Sequence, residues 1–190
     1  LIKQKLQNIA NIQFGLYEKP NHTGSIKYLH AGHFDKLYNP TEFKDSYIEL
    51  DGKNDKFLLK PNDLILAGKG HRIFAWPYDP NFGKAIPSSL FYIIRPNTDY
   101  VLGEYLAYYL NSEKIQYELK LIGAGATITS IPKKELGQIT ITLPPIKKQQ
   151  EIIELIRVLD ENIELTKNLL EKRTTLKRGL VNRIMNQEIK

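Results

Sequence analysis

The sequence predicts an α+β fold: a mixed, mostly antiparallel sheet domain over residues 1–144, then one long coiled-coil-forming helix over residues 145–190. Three observations lead there. Residues 1–144 hold every aromatic residue, all glycines but Gly179 and all prolines but Pro145, whereas residues 146–190 hold no proline and no aromatic residue. That change of texture at Leu143-Pro144-Pro145 marks a boundary between a packed domain and a helical segment. Short β-like runs alternate with turn residues in the first region. Apolar residues recur at spacings of three and four in the second.

Within the first region, Leu6, Ile9 and Ile12 share a face at helical spacing and predict a short opening helix. Strands are expected at Ile26–Leu29, Tyr47–Leu50, Phe57–Leu59, Leu64–Ala67, Ile73–Trp76 and Leu90–Ile94. Asp51-Gly52 separates two of these runs and reads as a hairpin turn, since both residues tolerate positive φ. Pro61-Asn62-Asp63 marks another turn. Helical spacing returns at Leu102, Leu106, Tyr109 and Leu110, then at Ile115 and Leu119, before the turn Gly123-Ala124-Gly125. Ile139, Ile141 and Leu143 alternate with threonines, the pattern of a half-buried strand.

The second region carries a seam: Ile152, Ile156, Leu159, Ile163, Thr166, Leu170, Arg173, Lys177, Leu180 and Ile184, seven of ten apolar. Leu155, Leu169 and Leu176 widen it. A helix of this length reaches roughly 57 Å, against a radius of gyration of about 15 Å for the preceding domain. An apolar seam on so long a helix calls for a partner helix, with folding back on its own domain as the alternative. Between Lys167 and Arg183 six basic residues face one acid, Glu171.

Composition narrows the function classes. The chain has 190 residues, 42% hydrophobic and 10% aromatic, with a net charge of +6 and no cysteine. Globular composition argues against disorder. No apolar run approaches the ~18–20 residues that span a bilayer. The absence of cysteine excludes disulfides and thiolate chemistry and fits a cytoplasmic location. The charge permits a polyanion without demanding one.

A search for catalytic chemistry comes back thin. His30 and His33 stand three apart without a cysteine, and Gly32 between them disfavours a helical metal site. Glu49, Asp51 and Lys53 are loosely arranged as in metal-dependent nucleases, but they coincide with the expected turn. Gly123-Ala124-Gly125-Ala126-Thr127 lacks the lysine and Ser/Thr of a phosphate loop. Leu143-Pro144-Pro145-Ile146 lacks the polar first and aromatic last residues of the methyltransferase motif it resembles. No catalytic residue and no metal site is assigned.

What remains is a recognition surface. Lys27, His30, His33, Lys36, Lys69, His71, Arg72 and Lys84 are set among Tyr28, Tyr38, Phe74 and Trp76, several of them in Gly-containing loops that let side chains reach bases or phosphates. Arg72 is the candidate for a bidentate guanine contact, and Lys69 and Lys84 suit phosphate. The alternative is scattered surface charge.

The order of segments resembles one half of a type I restriction–modification specificity subunit: one target recognition domain followed by a spacer helix. Lys5-Leu6-Gln7-Asn8-Ile9-Ala10 with Gly15 looks like the family opening. Leu58-Leu59-Lys60-Pro61-Asn62-Asp63-Leu64-Ile65-Leu66 is similar to its Pro-Gly-Asp-Ile-Leu strand entry, with Asn62 for the usual glycine. Tyr105–Asn111, YLAYYLN, is similar to its leucine-rich helix. The strongest match is Gly123–Ile152, where a Gly-Thr turn, a Pro-capped helix, an alternating strand and Leu-Pro-Pro lead into the helix through Gln149. The family usually has Glu-Gln where this chain has Gln149-Gln150.

The resemblance implies a non-catalytic subunit that selects a DNA sequence for adenine methylation by modification subunits, and for cleavage when restriction subunits join. It implies no cofactor on this chain; S-adenosylmethionine, ATP and magnesium belong to the partners. Full-length members carry two recognition domains and two antiparallel helices. One domain and one helix therefore imply a homodimer through Ile152, Ile156, Leu159, Ile163, Leu170, Leu180 and Ile184, reading a bipartite palindrome. Leu1 in place of Met leaves open a fragment of a longer subunit. Implied DNA contacts are the Lys27–Lys36 segment, Lys69–Arg72, Lys84, and Thr127 and Thr129 in the Gly125–Thr129 turn. Rival readings are a coiled-coil module without DNA function and a stand-alone nuclease.

Overall fold

The structure, a computed structural model, describes residues 1–41, 43, 45–123 and 130–186. The chain divides into two compact units, Leu1–Gln150 and Glu151–Lys190.

The first unit is built on three antiparallel or mixed sheets. Strands β1 (Ile2–Lys5), β2 (Ala10–Phe14), β3 (Ile26–Leu29), β4 (Tyr47–Ile48), β5 (Leu64–Ala67), β6 (Ala75–Pro77), β7 (Ala85–Pro87), β8 (Phe91–Pro96) and β9 (Thr140–Leu143) are interleaved with helices α1 (Leu6–Ile9), α2 (Gly103–Asn111), α3 (Glu113–Ile122) and α4 (Lys133–Gln138). The main sheet runs β2-β8-β5-β6, all antiparallel. A second runs β4-β3-β7, in which β3 and β7 are parallel. β1 and β9 close an antiparallel ribbon that ties the start of the chain to the end of this unit.

All of β5 and the first four residues of β8 are buried, so these central strands read as apolar runs instead of alternating. One side of the sheet faces an aromatic-rich core with Phe34, Phe74, Trp76, Phe91 and Ile93 at its centre. Helix α2 packs on β5 and β6. Its last residue, Asn111, accepts from the Ala75 N–H through Oδ1 and donates to the Ala75 carbonyl through Nδ2, both at 2.8 Å. The amide thus completes the open edge of β6 as a further strand would, which blunts edge pairing.

The turn at Pro61-Asn62-Asp63 is where sequence and backbone agree most closely. Asn62 has φ +70, a conformation that glycine or asparagine adopts at least cost. Its Oδ1 accepts from the N–H of Gly103 at 2.7 Å. A Cβ on Gly103 would lie 2.1 Å from the Asn62 carbonyl oxygen, so the close approach requires glycine there. Asp63 is buried and accepts from the Lys60 N–H at 2.9 Å and Arg95 Nε at 3.2 Å. Burial pushes its carboxyl above the ordinary range, partly offset by the Lys60 N–H and Arg95.

Several expectations are corrected. The opening helix is one turn, and Ile12 belongs to β2: Leu6 and Ile9 are buried by the turn and Ile12 by sheet alternation. Phe57–Leu59 is not a strand but the exit of a 3₁₀ turn, Asp55–Phe57. Asp51-Gly52 is a turn but joins no hairpin: Asp51 Oδ1 accepts from Lys53 and Asn54 N–H groups, leading into that 3₁₀ turn, while β4 pairs with β3. β1 and β7 have no counterpart among the expected strands, since the mostly exposed β1 (Ile2-Lys3-Gln4-Lys5) and the three-residue β7 carry no pattern of their own.

The last helix, α5 (Ile146–Met185), begins in the first unit. Gln149 there is fully buried; its Nε2 donates to the carbonyls of Tyr100 and Pro144, and its Oε1 accepts from the Leu102 N–H, all at 2.9 Å. Every polar atom of the amide is thereby used on the backbone leading into α2 and α5. In the second unit, every described residue from 157 onward is exposed. Leu159 is 53% exposed, Ile163 49%, Leu170 66% and Ile184 58%.

Candidate nucleic-acid interface

Contacts link Lys27, His30, His33, Arg72 and the Lys84 backbone around the loop that follows β3. His30 opens a 3₁₀ turn, Ala31–His33, in which the His30 N–H donates to His33 Nδ1 at 3.0 Å and the His33 N–H donates back to the His30 carbonyl. An Nδ1 that accepts must be unprotonated, so His33 is held as the Nε2–H tautomer. Burial lowers the pKa of both imidazoles; for His33 the neighbouring His30 adds to this and Asp45 opposes it. Both contribute hydrogen-bonding edges at neutral pH instead of the charge expected of basic groups.

The loop continues through an Asp-nucleated turn. Asp35 Oδ1 accepts from the N–H groups of Leu37 and Asn39, and the Asp35 N–H bonds the Asn39 carbonyl. Thr41 returns to the His33 carbonyl through both its N–H and its hydroxyl. At the crown Lys36 and Asn39 are exposed and Leu37 is 54% exposed. Tyr38 has φ +67, and its ring lies flat on Phe74 with centroids 4.9 Å apart. Asp35 and the Asn39-Pro40 pair are turn signals in the sequence; the left-handed Tyr38 had none, and its ring stacks on Phe74, 36 positions away in the chain.

Arg72 reaches into this loop from the Gly68–Arg72 segment. Its Nη1 donates to the Asp35 carbonyl at 2.7 Å, and its Nη2 donates to those of Ala31 and Phe34 at 2.6 and 2.8 Å. The guanidinium carbon lies 5.5 Å from the Phe74 ring centroid. Both hydrogens of Nη2 are committed, and either fork geometry toward guanine needs that nitrogen. In the structure the Arg72 side chain faces the loop backbone, where its Nη1 and Nη2 donors are spent. Gly70, with φ +113, lets the segment turn there.

Lys27 is likewise internal to the surface. Its Nζ donates to the Phe82 carbonyl at 2.6 Å and lies 4.0 Å from the Phe82 ring, with the Phe43 ring beyond at 6.0 Å. Phe43 in turn packs on His33 at 4.2 Å. The contacts run from His33 through Phe43 and Lys27 to Phe82, and the Lys84 carbonyl accepts from the Lys27 N–H. Lys84, Lys36 and His71 present exposed side chains. Lys69 is half-buried, its Nζ 5.0 Å from the Phe14 ring and its backbone bridged to Ser130. Thr127 and Thr129 lie outside the described residues.

Elsewhere the chemistry is sparse. A groove of about 870 Å³ beside α1, β2 and α4 is lined by Asn8, Asn11, Asn97, Lys133 and Lys134 among others, with no acid, histidine or cysteine in its lining. It offers no general acid–base pair. Among the described residues no three His, Cys, Asp or Glu side chains are grouped to hold a metal. No described helix is long and apolar enough to cross a membrane.

Comparison with known proteins places this geometry in a family. Residues 4–173 match the type I restriction modification DNA specificity domain. A putative type I restriction enzyme MjaX specificity subunit of Methanocaldococcus jannaschii is 29% identical over 97 residues, 51% of this chain and 22% of that protein. The type I restriction enzyme HindI specificity subunit of Haemophilus influenzae is 29% identical over 122 residues, 62% of this chain and 26% of that protein. The chain thus spans about a quarter of the curated relatives it matches. In fold, it is similar to the S subunit of a type I restriction–modification system from M. genitalium, with a TM-score of 0.64 and 17% identity over 98% of this chain and 46% of that one. The HsdS subunit of Thermoanaerobacter tengcongensis gives a TM-score of 0.58 at 17% identity, covering 86% of this chain and 38% of that one. These neighbours share the mixed sheet domain and the long helix. A match to the family over nearly the whole length, on a fold of the same architecture, means that this chain belongs to the type I restriction modification DNA specificity domain family.

Proposed function

We propose that this chain selects the DNA sequence for a type I modification assembly and does no chemistry itself. Its partners are double-stranded DNA, modification subunits that methylate adenine with S-adenosylmethionine, and restriction subunits that use ATP and magnesium. The family assignment over residues 4–173 carries the reading. The loop surface supports it locally, because Lys36 is exposed at the crown of the hydrogen-bonded loop, and His71 and Lys84 are exposed as well. Lys36 and Lys84 neutralise phosphate in this reading, so their loss weakens all sequences alike and flattens the salt dependence.

Two copies pair antiparallel through Ile152, Ile156, Leu159, Ile163, Leu170, Leu180 and Ile184, and the two-fold axis makes the target a bipartite palindrome. The exposure of Leu159, Ile163, Leu170, Leu180 and Ile184 supports this part, while Ile152 and Ile156 are half-buried. The deciding experiment is a methylome: the chain is co-expressed with a modification subunit of its own system and methyladenine is mapped against a control lacking this chain. A new palindromic bipartite motif is expected. An asymmetric motif retains sequence selection and overturns the homodimer; no new motif with the proteins associated overturns DNA recognition.

A further inference from the structure

We infer that Arg72 and Tyr38 form a latch that holds the loop of residues 31–41 in one conformation, making Arg72 a positioning residue for DNA discrimination and not a contact. The inference rests on the DNA-reading proposal for its functional half only. Its observations are independent of that proposal. The loop's own backbone pairing is limited to one isolated antiparallel bridge, Phe34 with Pro40, flanked by the Asp35–Asn39 and Thr41–His33 bonds. Here three successive parts of it, Ala31, Phe34 and Asp35, give their carbonyls to one guanidinium. A planar cation with five donors can bind three carbonyls at once, whereas a lysine ammonium presents a point charge on a flexible stem.

Tyr38 supplies the other half. A tyrosine in the left-handed region is disfavoured by its Cβ and persists only where surrounding contacts impose it. Here the turn closed on Asp35 and the Phe74 ring both hold it: the Tyr38 N–H donates to the Asp35 carbonyl at 3.3 Å, and its ring lies on Phe74 with an interplanar angle of 1°. The same ring has the Arg72 guanidinium carbon 5.5 Å from its centroid. Phe74 itself is fully buried. A rigid part of the core thus carries both latch groups, and both act on a loop whose crown, Lys36 and Leu37, is turned to solvent. Ordering the loop in advance removes the conformational cost that a flexible loop incurs on binding, and that cost falls hardest on the one sequence whose contacts demand a single loop geometry.

The test uses the full chain with its modification subunit, and compares wild type with Arg72→Ala, Arg72→Lys and Lys36→Ala. Two quantities are read: amide exchange of residues 33–41, with β5 as an internal control for folding, and affinity for a duplex bearing the selected motif relative to a scrambled duplex. Arg72→Ala and Arg72→Lys are expected to speed loop exchange at least about tenfold with β5 unchanged. Both should lower discrimination by about tenfold or more while scrambled-duplex binding stays within about twofold. Lys36→Ala should leave exchange alone and weaken both duplexes.

Wild-type exchange and discrimination in Arg72→Lys overturns the latch, since charge alone then suffices. Faster exchange with intact discrimination overturns the positioning role. Loss of β5 protection in Arg72→Ala shifts the decision to the lysine variant. If wild type selects no motif, the DNA reading fails and takes the positioning role with it; loop exchange then decides the latch by itself.

Discussion

Asn62 shows how a single residue can carry a family's backbone requirement without its usual glycine. The position needs φ +70 and also an acceptor for the Gly103 N–H, and asparagine meets both where glycine meets one. Asn62→Gly relieves the left-handed cost but loses the acceptor, so its stability should stay within about 1 kcal/mol of wild type. Asn62→Ala keeps the strain and loses the bond, and should cost about 2 kcal/mol or more in urea denaturation. Equal effects of the two would dismiss the conformational argument. His30 and His33 set a pH dependence at the same scale. Their imidazoles sit below the ordinary 6.5, so as pH falls the unfolded chain takes up protons first. Stability is therefore full above about pH 6.5, declines through the interval down to the lowered native values, and levels off below them. Denaturation midpoints at pH 7.5 and 5.5 should differ more in wild type than in the double variant His30→Gln with His33→Gln.

At the scale of elements, the junction into α5 rests on one amide. Gln149→Ala would strand the carbonyls of Tyr100 and Pro144 and the N–H of Leu102 in a buried site, at about 2–5 kcal/mol. Gln149→Glu keeps the acceptor but points a carboxylate at two carbonyls, and should be at least as damaging; thermal melting of the two variants checks both. A Gln149→Glu protein as stable as wild type would refute this account of the junction. The role of Gln149 was not legible in the sequence, because a glutamine just past Pro-Pro looks like an ordinary solvated helix residue. Strands β3 and β5 were legible to the residue, as their apolar runs sit between clear turn signals. The 31–41 loop was not: its basic residues suggested a surface, but which of them face solvent depends on contacts 37 to 41 positions away in sequence, those of Arg72 with Asp35, Phe34 and Ala31. Pattern reading sees residue type and period, and Arg72 has the type of a base reader while its partners make it a clamp.

For the molecule as a whole, the proposed two-fold pairing rests on the seam of α5. Its positions alternate at spacings of four and three from Ile152 to Leu170, apolar except at Thr166, a 3.5-residue period that winds helices into a left-handed pair. Thr166, Arg173 and Lys177 interrupt it, and polar groups at such positions favour one register and orientation at some cost in stability. Burying each Ile or Leu of the seam contributes about 1.5–3 kcal/mol. The double variant Ile163→Lys with Leu170→Lys removes two such side chains from each copy and sets charges against an apolar partner. Dimer affinity should fall by at least about a thousandfold, roughly 4 kcal/mol. Sedimentation velocity at micromolar concentration should then show a dimer for wild type and a monomer for the variant, while the melting of the sheet domain is unchanged. In the methylome the variant should lose the bipartite motif, since one recognition domain alone fixes only one half of a spaced palindrome. A wild-type chain that sediments as a monomer, or a variant that still marks the full motif, would mean that two-fold pairing through this seam is not how the target is read.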